Sequence, residues 1–373
     1  MRPLIILGFS ALLLAALAGL VGCGGSSTPS AGASHAYVSN QAGNGISLYT
    51  VDSTGVLTAA ATPTFTVNGT LTSLVLSSDG KYLFAVDRAN NEVHIMTRAA
   101  DGSLTASGTQ ATGVQPKTAA LDSSGKFLLV SNNGGSGNGS VSVFAINSST
   151  GGLSEVANSP FPVTGNPVDV AVSKTSGYVY VATQNAAGPN SGGFYGFTVS
   201  SSTGALTAMA GSPYLVGVAP NFIAIAPNEA LLCVLDASAG LVHAYDIASG
   251  TGVPTERTAG SPFTAGGQPA AAVFDPTSTY LFVADGVGTV EVITWSSLNV
   301  VSLAATQNSS TTPVYIALSP SGSALYVVNA GANTIYEFTV STSTSSGVTT
   351  ITVTPMSPNA VGTGATPSWI VTQ

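Results

Sequence analysis

Charge is scarce in this sequence. Lysine and arginine together number 8 of 373 residues, and all charged residues make up 6%, against about 25% in an average soluble domain. Removing Arg2 with a leader peptide leaves 7 basic and 16 acidic residues, a balance of −9. Nucleic acids and anionic membrane surfaces both require clustered Lys and Arg, so neither is an expected partner. Cysteine is scarcer still, with only Cys23 and Cys233. Cys233 sits in the apolar run Leu231–Leu235 and reads as a small core residue, not a reactive thiol.

Several motifs of chemistry are also missing. There is no Gly-x-Ser-x-Gly elbow, no His-x-Glu and no Cys-x-x-Cys spacing, so no metal site and no cofactor are expected. The Gly-rich stretch Asn133–Gly139 lacks the lysine of a phosphate loop and reads as a loop between strands.

What is present begins with a leader. Met1-Arg2-Pro3 precedes an apolar run, Leu4–Val21, that ends in Leu20-Val21-Gly22-Cys23. This resembles a bacterial lipoprotein signal over residues 1–22, with lipid carried on Cys23. Residues 23–34, rich in Gly, Ser, Thr, Pro and Ala, then form a flexible tether. The expected location is the cell envelope, the outer membrane or cell surface before the cytoplasm, with the membrane as a partner through the lipid.

From His35 to Gln373 one pattern recurs. An apolar strand ending in a small polar residue appears at Tyr37–Asn40, Phe84–Asp87, Leu129–Asn132, Tyr180–Thr183, Cys233–Asp236, Phe282–Asp285 and Tyr326–Asn329. The spacings are 47, 45, 51, 53, 49 and 44 residues, a period that means a propeller or another repeat array. Before each marker strand comes a short apolar strand, usually opened by proline, and a turn such as Ser78-Asp79-Gly80. After it come a third strand, a turn such as Ser53-Thr-Gly-Val-Leu-Thr58, and a variable fourth strand. Seven units of four antiparallel strands give an all-β, seven-bladed β-propeller over residues 35–373. The terminal Pro367–Gln373 has the form of a first strand with no marker strand after it, while His35–Asn40 is a marker strand with no first strand before it. Joining the two closes the ring and removes two open sheet edges.

The Tyr37-Val-Ser-Asn40 and Tyr326-Val-Val-Asn329 markers, with Ser-x-x-Gly before and Ser-Thr-Gly-x-Leu-Thr after, resemble the Tyr-Val-Thr-Asn repeat proteins. The whole arrangement is similar to the seven-bladed lactonase propellers, which include 6-phosphogluconolactonase and a fungal muconate-lactonising enzyme. The resemblance implies a site at the mouth of the central channel, where that family carries Arg and His just after the blade-joining proline. The second residue after that proline, or its equivalent, is here Ser73, Thr118, Asp169, Phe222, Ala271, Tyr315 and Trp369, with Lys117 one place earlier. None is His or Arg. Histidines 94 and 243 occupy matching third-strand positions in non-adjacent blades and read as structural.

Lys117, Asp169, Phe222, Tyr315 and Trp369 are therefore the expected ligand-binding residues, suited to a small neutral or sugar-like molecule. No catalytic residue is assigned, except Asp169 if the protein is a lactonase. The first expectation is a non-catalytic, lipid-anchored binding platform, with an envelope protein or a small ligand as partner. The alternative is a lactone hydrolase related to 6-phosphogluconolactonase, and a third reading is a subunit of an envelope assembly machine.

Overall fold

A computed structural model describes residues 34–43, 45–185, 191–217, 219–295, 301–308, 312–345 and 348–373. The expected lipid site, Cys23, and the tether before Ser34 lie outside these residues. All regular structure in the described residues is β, in seven antiparallel sheets. Blade 1 joins Ser34–Asn40, Gly45–Val51 and Leu57–Thr66 to Pro367–Thr372 from the other end of the chain. Blades 2 to 7 follow in order, with inner strands at Leu71–Leu76, Pro116–Leu121, Asn166–Val172, Pro220–Ile225, Pro269–Phe274 and Pro313–Leu318.

Ring closure follows the expected pairing. Ala36 faces Thr372, Tyr37 faces Val371, Val38 faces Ile370 and Ser39 faces Trp369. The apolar core divides into seven clusters, one between each pair of successive blades. The closing seam holds Ala36, Val38, Ala324, Tyr326, Val328 and Ile370, packed like the other six. Each marker strand is buried along its full length because both its faces meet a neighbouring blade; Tyr82–Asp87, Leu231–Asp236 and Ala324–Asn329 show this.

The repeated tyrosine and the repeated turn glycine meet. Tyr37, Tyr180 and Tyr326 hydroxyls donate to the carbonyls of Gly102, Gly252 and Gly55 in the next blade, at 2.7, 2.6 and 2.6 Å. Gly55 has φ +92°, and a Cβ there would lie 2.4 Å from Ala324 Cβ. The turn therefore needs glycine for both its backbone and its approach to the neighbouring blade.

Blades 3, 4 and 5 depart from four plain strands. Their outer strand is in two pieces, such as Leu153–Glu155 and Phe161–Pro162, both paired to the third strand. Three Ser-Pro-aromatic segments, Ser159–Phe161, Ser212–Tyr214 and Ser261–Phe263, explain the break. Between the pieces the Ser159, Ser212 and Ser261 hydroxyls accept the N–H of Val143, Gly196 and Ala244 at 2.9, 3.1 and 2.9 Å, replacing a backbone carbonyl.

Candidate active site at the channel mouth

Every inner strand carries a β-bulge near its first residue. Partners jump from Leu71 to Ser73, Pro167 to Asp169, Pro220 to Phe222, Pro269 to Ala271 and Pro313 to Tyr315. In blade 3 the jump is from Pro116 to Ala119, and in blade 1 Ser368 falls between paired Pro367 and Trp369. A bulge leaves a residue unpaired and re-aims its side chain. The residues skipped in this way, Thr72, Lys117, Thr118, Val168, Asn221, Ala270, Val314 and Ser368, all line one cavity of about 250 Å³ that draws on all seven blades. Asp169, Phe222, Tyr315 and Trp369 line it too. All five residues expected from the sequence are thus brought together. Thr72, Thr118, Asn221 and Ser368 are additions; their signal was the position beside the proline, already used for the other five.

One wall is aromatic. The Tyr315 and Trp369 rings stack with centroids 3.8 Å apart and planes 22° apart, and Phe222 meets Tyr315 edge-on at 6.1 Å. Burial, with the nearby Asp169 charge, pushes the Tyr315 hydroxyl far above its ordinary range, so it stays a phenol and can donate.

Asp169 is 3% exposed. Its two carboxylate oxygens accept the Val170 N–H and the Ile223 N–H of blade 5, each at 2.9 Å. Burial outweighs these bonds and pushes the carboxyl up to about 6. The bond to Ile223 belongs to a series. Ser73 Oγ accepts from Ala119 N at 3.4 Å and Thr118 Oγ1 from Val170 N at 3.0 Å, each reaching the next blade in the same way. Two neighbouring blades therefore make this inter-blade link with a neutral hydroxyl. The negative charge at Asp169 is more than the link requires.

Lys117 is half-buried, and its ammonium has no ion-pair or hydrogen-bond partner among the described residues. Burial, then the Arg88 charge, lowers its pKa. Asn221 is committed to structure, donating to Pro269 O and Ala270 O at 3.1 and 2.9 Å. Ser368 likewise donates to Leu71 O at 2.9 Å. Thr72 Oγ1 is buried without a hydrogen-bond partner. The groups left for a ligand are the Lys117 ammonium, the remaining lone pairs of Asp169, the Thr72 hydroxyl and the aromatic wall.

The polar ends of the marker strands serve turns. Asp87 accepts the N–H of Thr70, Ala89 and Asn90, and Asp285 those of Gly267, Gln268 and Val287. Cys233 is fully buried in the seam between blades 5 and 6, and burial drives its thiol pKa far up, as an inert core residue requires.

Comparison with known proteins decides the family. The model of the lactonase, 7-bladed beta-propeller family matches residues 29–172 and 176–365. This chain belongs to that family. A curated relative named 6-phosphogluconolactonase, from Photorhabdus laumondii subsp. laumondii, is 34% identical over 98 residues, a match spanning 26% of this chain and 28% of that protein. A candidate 6-phosphogluconolactonase from Bacteroides fragilis superposes with a TM-score of 0.72 at 17% identity, covering 93% of this chain and 99% of its own. The periplasmic gluconolactonase of Pseudomonas aeruginosa gives 0.71 at 18% identity, covering 91% and 98%.

These lactonase relatives overturn the expectation of a non-catalytic binding platform. That expectation rested on the missing Arg and His at the mouth.

Proposed function

We propose that the protein is a lactone hydrolase whose site is the channel-mouth cavity. The observation that carries this reading is Asp169: a carboxylate stands where adjacent blades make the same link with Ser73 and Thr118. Its burial brings its proton exchange to about pH 6, a useful position for a general base at neutral pH.

In the mechanism this supports, ionised Asp169 accepts a proton from a water molecule as the water oxygen bonds to the lactone carbonyl carbon. The Lys117 ammonium, free of other partners among the described residues, balances the negative charge that develops on the carbonyl oxygen. The intermediate then breaks its ring C–O bond, and the departing oxygen takes the proton held by Asp169, leaving a hydroxy acid. The stacked Tyr315–Trp369 pair offers a flat apolar surface to the lactone ring. The leader ending in Cys23 supports an exported enzyme, as does the periplasmic gluconolactonase among its structural relatives.

The test is hydrolysis of neutral and phosphorylated lactones by the purified full chain and by Asp169→Thr. Threonine keeps the hydroxyl link that Thr118 makes and removes the base. Turnover that disappears in a variant that still melts cooperatively, at or above the wild-type temperature, supports the reading. Equal turnover in the two proteins refutes it.

A further inference from the structure

The third strand of blade 2 holds a cluster that the channel-mouth chemistry does not use. His94 Nε2 lies 3.1 Å from Asp87 Oδ2 and 3.5 Å from Glu92 Oε1, and the three residues each offer a ligand atom within 4.8 Å of the others'. A divalent ion bound at about 2.0–2.2 Å holds adjacent ligands roughly 3.0 Å apart in octahedral geometry and about 3.4 Å apart in tetrahedral geometry. The two separations to His94 fit edges of such polyhedra.

The ligands are also held in place. Asp87 is fully buried, its Oδ1 fixed by the N–H groups of Thr70, Ala89 and Asn90, and its Oδ2 takes the Asn90 amide at 2.7 Å. Such outer contacts orient a metal-binding carboxylate. The other two side chains keep access to solvent, at 17% exposure for His94 and 25% for Glu92. His94 also lines a cavity of about 320 Å³ together with Thr66 and Asn68 from blade 1 and the segment leaving it.

The other blades show that the strands do not need this arrangement. At the same place Asn40 bonds Ser47 and Asn132 bonds Ser142, each at 3.0 Å. Blade 5 repeats the histidine, but His243 turns its Nδ1 to Glu256 on the outer strand at 2.9 Å. Among the described residues, only Asp87, Glu92 and His94 bring three such ligand atoms this close together.

We propose that Asp87, Glu92 and His94 form a binding site for a divalent transition-metal ion of the zinc class. One imidazole with two carboxylates and no thiolate suits Zn²⁺, Co²⁺ or Mn²⁺. The ion takes the lone pair of His94 Nε2 and ties the marker strand of blade 2 to its third strand.

The probe is Co²⁺, titrated into metal-free full-length protein and read by visible absorption, with Zn²⁺ competition and thermal melting alongside. The expected result is one saturable equivalent with a ligand-field band, displaced by Zn²⁺, and a higher melting temperature with Zn²⁺. His94→Gln loses the band, Glu92→Gln binds at least ~10-fold more weakly, and His243→Gln retains the wild-type behaviour. Folded wild-type protein with no saturable band overturns the proposal. So does a band that survives in folded His94→Gln, or one lost in folded His243→Gln.

Discussion

The marker strands and the channel mouth are built from the same seven repeats, yet they obey different rules. Along the marker strands the blades agree: apolar residues on both faces, a polar cap at the end, and in three of them a tyrosine bonded to a turn glycine in the next blade. At the mouth, the two residues after each inner-strand start agree in backbone, since all are bulged, and disagree in chemistry, from Ala270 and Ala271 to Lys117 and Asp169. Repetition of side chains marks what the ring needs to stand. Divergence on a repeated backbone is the pattern that the proposed ligand site would leave.

The largest effect expected from breaking this comparison lies in the shared framework. Deleting residues 367–373 removes the inner strand of blade 1, opens the seam around Ile370 and leaves two sheet edges bare. Full burial of a side chain such as Ile370 contributes roughly 1.5–3 kcal/mol, before counting Trp369, Val371 and the strand's backbone bonds. A typical domain has only about 5–15 kcal/mol in total. The truncated chain is expected to show no cooperative melting transition by circular dichroism; a wild-type transition would contradict ring closure.

At the mouth the same comparison reverses: activity falls, while stability holds or rises at neutral pH because the variant no longer buries an ionised carboxylate. Asp169→Thr is expected to lower lactone turnover by about 10²–10⁴-fold, the usual contribution of a positioned base, in a steady-state assay. The wild-type rate should rise with pH through an apparent pKa near 6, because the ionised carboxylate is the active form. A flat profile between pH 5 and pH 8 would remove Asp169 from the chemistry.

The closing seam also contains an acid, and it sharpens the contrast. Glu337 is fully buried in blade 7; one oxygen accepts Leu57 N of blade 1 at 2.7 Å, and the other has no hydrogen-bond partner among the described residues. Burial pushes it up to about 7 from an ordinary 4.5, the Leu57 bond opposes this, and the Asp52 charge adds to it. A carboxyl with a raised folded-state pKa destabilises the fold where it must be ionised. Stability should therefore rise as the pH falls from above about 7 toward 4.5, by up to roughly 3 kcal/mol at 1.36 kcal/mol per unit. Asp169 adds to the same trend between about 6 and 3.8. Glu337→Gln should flatten the upper region of the curve in denaturant titrations at several pH values; an unchanged slope would sink the assignment.

How much of this was legible follows from the same division. The period, the markers and the unpaired strands at the two ends sufficed for the fold, because a blade interface imposes similar burial seven times. The mouth residues Lys117, Asp169, Phe222, Tyr315 and Trp369 could be located through the proline beside them, because the bulge recurs with it. Their use could not be read from the sequence. That Asp169 carries a surplus charge shows only once Ser73 and Thr118 are seen making the same link, a comparison between blades that no spacing reveals. The Asp87–Glu92–His94 cluster was missed for a similar reason: its ligands are joined by hairpin register, with Asp87 directly opposite Glu92, not by a familiar metal spacing. The split outer strands of blades 3 to 5 were not expected, because a Ser-Pro-aromatic sequence does not show that the serine hydroxyl will stand in for a carbonyl.

The smallest expected effect tests the repeated framework by single hydrogen bonds. Tyr326→Phe removes the hydroxyl that bonds Gly55 O at 2.6 Å and leaves the ring in place. A hydrogen bond of this kind contributes about 0.5–1.5 kcal/mol net, with more lost if the carbonyl stays buried and unpaired. Tyr37→Phe and Tyr180→Phe break the equivalent bonds at other seams. Of the three, Tyr37 has a second role, since its hydroxyl also accepts the Arg98 Nε–H at 2.8 Å, so its loss should cost the most. The Tyr180 and Tyr326 substitutions should cost similar amounts, and together about their sum, because their seams are distant and share no partners. None of the three should change lactone turnover beyond the loss of folded protein. A Tyr326→Phe variant that melts like wild type but turns over lactone several-fold more slowly would show that the seams and the mouth are coupled, and would end the division of labour between them.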